Sequence, residues 1–200
     1  MSGQTWGQQI VDLAASGTSY NTFTTAQSLL TTATATGAST GFITLPPGFA
    51  RVGSVLEYDA LLNIGSASGQ TWTFSIQIGG ATVWTSGAIP TVTTTVTALP
   101  AYLKAMLRVN AVGNGTLATL IGGGFIIGSG ICPLGATPGA EFAAGMGFSP
   151  LSNTTLAAGG GFNSTVSNTL DFLVASGTSS ANNTIQLMNL SVKSWGNTTP

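Results

Sequence analysis

GSVLEYDALLNI (53–64) is the stretch that decides the fold. Read in steps of two, it sets Leu56, Tyr58, Ala60, Leu62 and Ile64 on one side of an extended chain and Glu57, Asp59, Leu61 and Asn63 on the other. Successive side chains of a strand point to opposite faces, so this is a strand with one face apolar enough for a core.

The same alternation recurs on both sides of it. Downstream, Trp72, Phe74, Ile76 and Ile78 alternate with Thr71, Thr73, Ser75 and Gln77, and Gly79-Gly80 turns the chain into Ala81–Ser86, a β-hairpin. Thr91–Leu99 is a Thr-rich strand or loop ended by Pro100, and Tyr102–Val112 alternates Leu103, Ala105, Leu107 and Val109 with Lys104, Met106 and Arg108. That segment holds good helix formers, but its alternation and Gly-rich surroundings favour a strand. Gly113-Asn114-Gly115 is a turn signal, with Thr116–Ile127 returning as the partner strand. Thr169–Ala175 and Thr184–Ser194 supply two more strands, and upstream Phe23–Thr32 and Gly41–Leu45 are further candidates. About eight strands at short spacing predict an all-β protein, a single jelly-roll β-sandwich over 21–200.

Two segments stand apart. Residues 1–20 read as a short N-terminal arm whose large apolar groups include Trp6, Ile10 and Leu13, expected as a turn of helix or an extended strap docked on a neighbour. Residues 128–162, rich in Gly, Ala, Pro and Ser, show no period and are expected as a long loop, a feature usually tied to function or to a partner.

Composition restricts function. Apolar residues make up 43% of the 200, enough for a core, yet charged residues are only 4%, against about 25% in an ordinary domain. With a net charge of −1, little repulsion opposes self-association. The four cations, Arg51, Lys104, Arg108 and Lys193, are too few and too scattered for a nucleic-acid stripe or an anionic membrane. MSGQTWGQQIVDLAAS has no positive n-region or sustained apolar h-region, so no secretory signal is expected there. The uncharged run from Arg108 to Glu141 is too broken by glycine to read as a spanning helix.

Catalytic chemistry is poorly supplied. The chain has no histidine and one cysteine, Cys132, which rules out Ser-His-Asp and Cys-His arrangements, zinc ligation and an intrachain disulfide. Glu57 and Asp59 emerge on one face and could in principle do acid/base work. Lys104 and Arg108 lie on the matching face of another strand, so ion pairing across strands or subunits is the plainer reading. Glu57, Asp59 and Asp171 lack the loop spacing of a calcium site. The glycine runs 122–124 and 159–161 lack the Lys-Ser/Thr of a phosphate loop. No enzyme activity, cofactor or metal is expected.

Several strands carry apolar side chains on their polar face. Leu61 sits with Glu57 and Asp59, Met106 lies between Lys104 and Arg108, Leu173 follows Asp171, and in the last strand Ile185 and Leu187 oppose Met188, Leu190 and Val192. Burying both faces of a sheet calls for a second surface, which oligomerisation provides.

Order and spacing add a resemblance. LPPGFARVGSVLEYDALLNIGS (45–66), TWTFSIQIGGATVWTSGAI (71–89), LPAYLKAMLRVNAVGNGTLATLIGGG (99–124) and TLDFLVASGTSSANNTIQLMNLSVKSW (169–195) together resemble tailed-bacteriophage virion proteins with a tumour-necrosis-factor-like jelly roll. In these a Pro-x-x-Phe entry precedes a long strand, a Gly hairpin follows, Leu-Pro introduces a charged strand, and Asn-x-Ile-x-Leu closes the chain. The opening MSGQTWGQQIV resembles the short Trp-containing arm of the family, and the insertion at 128–162 departs from it. The resemblance implies a homotrimer on the outer surface of the capsid, a decoration or cement protein contacting the major capsid protein or other virion proteins. Its subunit interface is then expected at Glu57, Asp59, Leu61, Lys104, Met106, Arg108, Asp171, Leu173 and Met188, and its capsid contact at Trp6, Ile10 and Leu13. The alternative is a tail-fibre, spike or baseplate component that binds host glycan through exposed aromatics such as Trp72, Trp84 or Trp195.

Overall fold

The computed structural model describes residues 5–12, 16, 19–30, 43–91, 95–128, 131, 147–151 and 159–197. Among these, every regular element is a strand. They are β1 (Thr5–Asp12), β2 (Gln27–Ser28), β3 (Ile43–Leu45), β4 (Val55–Ser66), β5 (Thr71–Ile78), β6 (Ala81–Thr85), β7 (Ile89–Pro90), β8 (Val96–Ala111), β9 (Thr119–Gly128), β10 (Gly147–Leu151), β11 (Asn168–Ser176) and β12 (Thr184–Asn197). They form two antiparallel sheets, one ordered β1-β12-β4-β8-β9-β10 and the other β2-β11-β5-β6, with β3 beside β11 and β7 beside β5.

Setting aside the β9–β10 pair, and counting β2/β3 and β6/β7 as one strand each, the sheets read first-eighth-third-sixth and second-seventh-fourth-fifth. That is the order of a jelly-roll sandwich, as the alternation predicts. Both inner faces feed one core. Leu56, Tyr58, Ala60, Leu62 and Ile64 on β4 are buried, as are Trp72, Phe74, Ile76 and Ile78 on β5. Phe74 and Phe172 stack with centroids 5.9 Å apart. Each such side chain contributes about 1.5–3 kcal/mol through its removal from water.

The structure departs from the sequence reading where strand phase or length changes. In β12 the pairing with β4 shifts between Leu187 and Asn189, so Met188 is an extra residue. A bulge of this kind resets the period-two count. Ile185, Leu187, Leu190 and Val192 are therefore all buried, and of these five apolar residues Met188 alone turns outward, 38% exposed. The two apolar faces expected for this strand are one face and a bulge.

Val96–Ala111 is a single strand that runs through Pro100. Among the described residues its ladder with β9 starts at Ala101 and Pro100 pairs with Asn63 of β4. Phe23–Thr32 shrinks to the two-residue β2 among its described residues. Part of the expected loop at 128–162 is the strand β10, paired with β9 from Gly147↔Gly128 to Leu151↔Gly124. The arm, over Thr5–Asp12, is not a helical turn but the edge strand β1, paired with β12 in the same chain. Leu13 and Cys132 lie outside the described residues.

Glycine closes one side of the sandwich. Gly159 N–H donates to Leu120 O at 3.1 Å and Gly160 N–H to Thr82 O at 2.8 Å, which ties β9 to β6 across the two sheets. A Cβ at Gly159 would lie 1.8 Å from Val83 O, and one at Gly161 would lie 1.9 Å from Thr116 O. Only glycine fits so close a backbone approach.

At the end of the sandwich where β8 turns into β9, loops are bonded to one another. Ser164 N–H donates to Gly113 O, Gly113 N–H to Ser164 Oγ, and Gly48 N–H to Ser164 O, each at 2.9 Å. Among the side chains these loops leave outside are four aliphatic ones, Val52, Val112, Leu117 and Val166. The opposite end is held by buried polar groups. Asn183 Oδ1 accepts from Ala67 N–H at 2.8 Å, and its Nδ2 donates to Ser176 Oγ and Thr178 O at 2.8 and 2.7 Å.

Candidate interaction face

The outer face of the larger sheet concentrates what little charge the chain has. Register sets Lys193 opposite Glu57 and Glu57 opposite Met106; one rung along, Ser191 faces Asp59 and Asp59 faces Lys104. Arg108 lies beside Val55 on the same face. Five of the nine charged residues, Glu57, Asp59, Lys104, Arg108 and Lys193, therefore share this surface. On the smaller sheet, the outward positions of β5 are Thr71, Thr73, Ser75 and Gln77.

The ionic groups make a connected cluster. Lys104 Nζ donates to Glu57 Oε1 and lies 3.5 Å from Asp59 Oδ1, while Lys193 Nζ is 3.9 Å from Asp59 Oδ2. The Tyr102 hydroxyl donates to Asp59 Oδ1, and Trp195 Nε1 donates to Glu57 Oε2 at 2.6 Å. The Lys104 hydrogen bond holds the Glu57 carboxyl below its usual value against the opposing effect of burial, and Trp195 adds to it. Glu57 in turn raises Lys104. Burial, then the bond to Asp59, pushes the Tyr102 phenol up to about 12. Each shift stabilises the form already present at neutral pH. Glu57 held ionised and Lys104 held protonated neutralise one another's charge across β4 and β8.

Apolar side chains ring the cluster. Leu61, Met106, Met188 and Trp195 are 44%, 49%, 38% and 38% exposed, against the usual burial of such residues. Tyr102 and Phe125 pack with centroids 6.3 Å apart on the same surface. A face that mixes exposed methionine, tryptophan and leucine with pre-paired charges has the makeup of an interaction surface.

Seven of the nine expected interface residues meet here: Glu57, Asp59, Leu61, Lys104, Met106, Arg108 and Met188. Asp171 and Leu173 do not, because β11 belongs to the smaller sheet. Asp171 is buried, accepting from Ser28 Oγ and from Phe172 N–H, and burial raises its carboxyl. It is thus remote from Glu57 and Asp59 as a co-ligand, and no group of three metal-binding side chains occurs among the described residues. Trp72 and Trp84, expected as exposed platforms, are 0% and 6% exposed and belong to the core. Trp6 and Ile10 lie on β1, along the β12 edge of this sheet.

Sequence reasoning did not single out Tyr102, Lys193 or the Trp195–Glu57 bond. Lys193 and Trp195 do alternate along the last strand, but their face depends on the bulge at Met188, which has no sequence mark of its own.

No protein-family model and no curated sequence matches the chain. Among solved structures it is similar to the CBM2 module of the evolved Dit of Lactobacillus casei BL23 phage J-1, at 11% identity and a TM-score of 0.33, with 98% of this chain and 99% of that one covered.

Proposed function

We propose that this chain is a structural subunit of a bacteriophage particle, a homotrimeric decoration or cement protein on the outer surface of the capsid. The observation that carries the assembly reading is the outer face of the larger sheet: exposed Leu61, Met106, Met188 and Trp195 around a self-neutralised ion cluster, in a chain whose charged residues are only 4% of the total. Burying that face between subunits removes apolar area from water without stranding Glu57, Asp59, Lys104 or Lys193, because these four already pair within the subunit. The order and spacing of the sequence segments support the virion setting, and bridging of major capsid subunits would resist internal pressure by adding contact area across neighbours. No enzymatic role enters this reading. The test has two arms. Light scattering on the purified chain is expected to give three times the monomer mass, and imaging of particles with and without the chain is expected to place it on the head shell. A stable micromolar monomer with no affinity for capsids overturns the proposal.

A second reading has one observation in its favour. Trp195 is exposed and its indole is fixed by Glu57, which is the form a sugar-stacking platform takes in a tail-fibre, spike or baseplate component. A glycan array and the same particle images discriminate: binding abolished by Trp195→Ala together with density on the tail supports this reading, while density confined to the head removes it.

A further inference from the structure

We infer that Asn114 is a site of spontaneous covalent modification, a deamidation in which the chain's own backbone is the nucleophile. Asn114-Gly115 is the only Asn-Gly step in the sequence. It occupies the turn between β8 and β9, where Asn114, Gly115, Thr116 and Leu117 are all exposed. Leu117 N–H donates to Asn114 O at 3.2 Å, so Gly115 is the second residue of the turn, and its φ of 60° suits glycine. The Gly115 N–H has no acceptor among the described residues, and glycine puts no side chain in the path of attack.

The reaction balances with water as the only co-reactant. Gly115 N loses its proton to solvent and attacks Asn114 Cγ. The bond from Cγ to the side-chain nitrogen breaks and ammonia leaves, closing a five-membered succinimide. Water then opens either carbonyl, leaving aspartate or its isoaspartyl isomer, in which the main chain is one carbon longer. Nothing is oxidised or reduced.

Asn163-Ser164 provides a contrast within the same loop cluster. Asn163 Oδ1 is held by Thr165 N–H at 3.0 Å and by Thr165 Oγ1 at 2.7 Å. Its would-be nucleophile, Ser164 N–H, is bound to Gly113 O at 2.9 Å, and Ser164 is buried. Attack there must first break these bonds, each worth about 1 kcal/mol, or about fivefold in rate.

The change falls at a sensitive place. Asn114 shares its loop with exposed Val112 and Leu117, so the product adds a carboxylate near two aliphatic side chains. It also takes the net charge of the chain from −1 to −2. Any contact made by that tip is then age-dependent. The inference stands whether or not the virion reading holds.

Incubating the full-length chain at mildly alkaline pH, followed by peptide mapping and isoaspartate detection, tests it. Asn114 is expected to convert at least about fivefold faster than Asn163, and Asn114→Gln is expected to remove the new acidic form on ion exchange. Conversion of Asn114 at or below the rate of Asn163, or an acidic form undiminished in Asn114→Gln, overturns the inference. Circular dichroism of the variant, expected to match the parent, keeps a folding defect from being mistaken for either result.

Discussion

Trp195 on β12 reaches across the sheet to Glu57 on β4, its indole N–H 2.6 Å from the carboxylate oxygen, while Lys104 on β8 engages the other oxygen of the same carboxylate. Glu57 thus joins the three central strands of the larger sheet on their outer side. Both oxygens are used, and the ion network leaves the carboxylate little to gain from a proton.

Stability should therefore fall at both extremes of pH. Glu57 is depressed below 4.5 in the folded chain, so its contribution is complete above that unfolded value and is lost as pH drops through the lower folded one. Lys104 is raised above 10.5, so its contribution is complete below that value and is lost as pH climbs through the higher folded one. Thermal melts against pH are expected to show a plateau between these limits. Glu57→Gln should flatten the acid limb and lower stability at pH 7 by about 1 kcal/mol, the scale of a partly screened pair.

Trp195→Phe isolates the indole donor, since the ring stays and the N–H goes. Glu57 then loses one of the two hydrogen bonds that hold its carboxyl down, so the acid limb should begin at the same pH as in the parent but be shallower and end at higher pH. At neutral pH the expected loss is about 1.5 kcal/mol, that of a hydrogen bond to a charged group. An acid limb that does not move would show that Lys104 alone sets the Glu57 proton affinity.

Gly159 and Gly161 have no room for a methyl group, because its nearest neighbours are the main-chain oxygens of Val83 and Thr116, which cannot swing aside as a side chain can. Gly161→Ala should cost about 3 kcal/mol, the upper range for overpacking. The urea midpoint is expected to fall with an unchanged m-value. Gly80→Ala, where a Cβ would meet nothing within 4 Å but φ is +81°, separates backbone strain from crowding.

Asn183 holds three segments at the far end of the sandwich and is 0% exposed. Replacing it by Ala leaves Ala67 N–H, Thr178 O and Ser176 Oγ without this partner. An orphaned buried group costs about 1–3 kcal/mol, so Asn183→Ala should lose about 3 kcal/mol in urea titration. Asn183→Asp keeps the acceptor for Ala67 N–H but sets a desolvated carboxylate oxygen against Thr178 O, so it should lose at least as much as Asn183→Ala.

What could be read in advance follows from how local each signal is. The core face of β4 and the hairpin of β5 with β6 were legible because period-two alternation is set residue by residue and their turn is a Gly-Gly pair. β12 misled because its phase changes at Met188 without a glycine or proline to mark it. β10 was hidden because its five residues include Pro150, and its pairing partner β9 is remote in sequence. Six of the seven face residues were found by parity within β4 and β8, whereas the link from Trp195 to Glu57 depends on register between strands, which no single segment encodes. Asp171 was misplaced for a related reason: parity says which side of its own sheet a residue takes, but not which sheet it joins.

The assembly reading makes its sharpest prediction at Met106. This side chain is 49% exposed and lies on the rung that carries Glu57 and Lys193. Because it contributes little to the core, Met106→Glu should leave the isolated fold within about 0.5 kcal/mol of the parent. Placed in a buried subunit contact, the same carboxylate would find Lys104 and Lys193 already serving Glu57 and Asp59, with Arg108 two positions along β8 as the remaining cation of this face, and it would itself be taken out of water. Desolvating it would cost several kcal/mol in each subunit. Light scattering is expected to show a folded monomer for Met106→Glu and a trimer for the parent, while Thr73→Glu, on the outer face of the smaller sheet, stays trimeric. A Met106→Glu chain that still assembles would move the interface off this face.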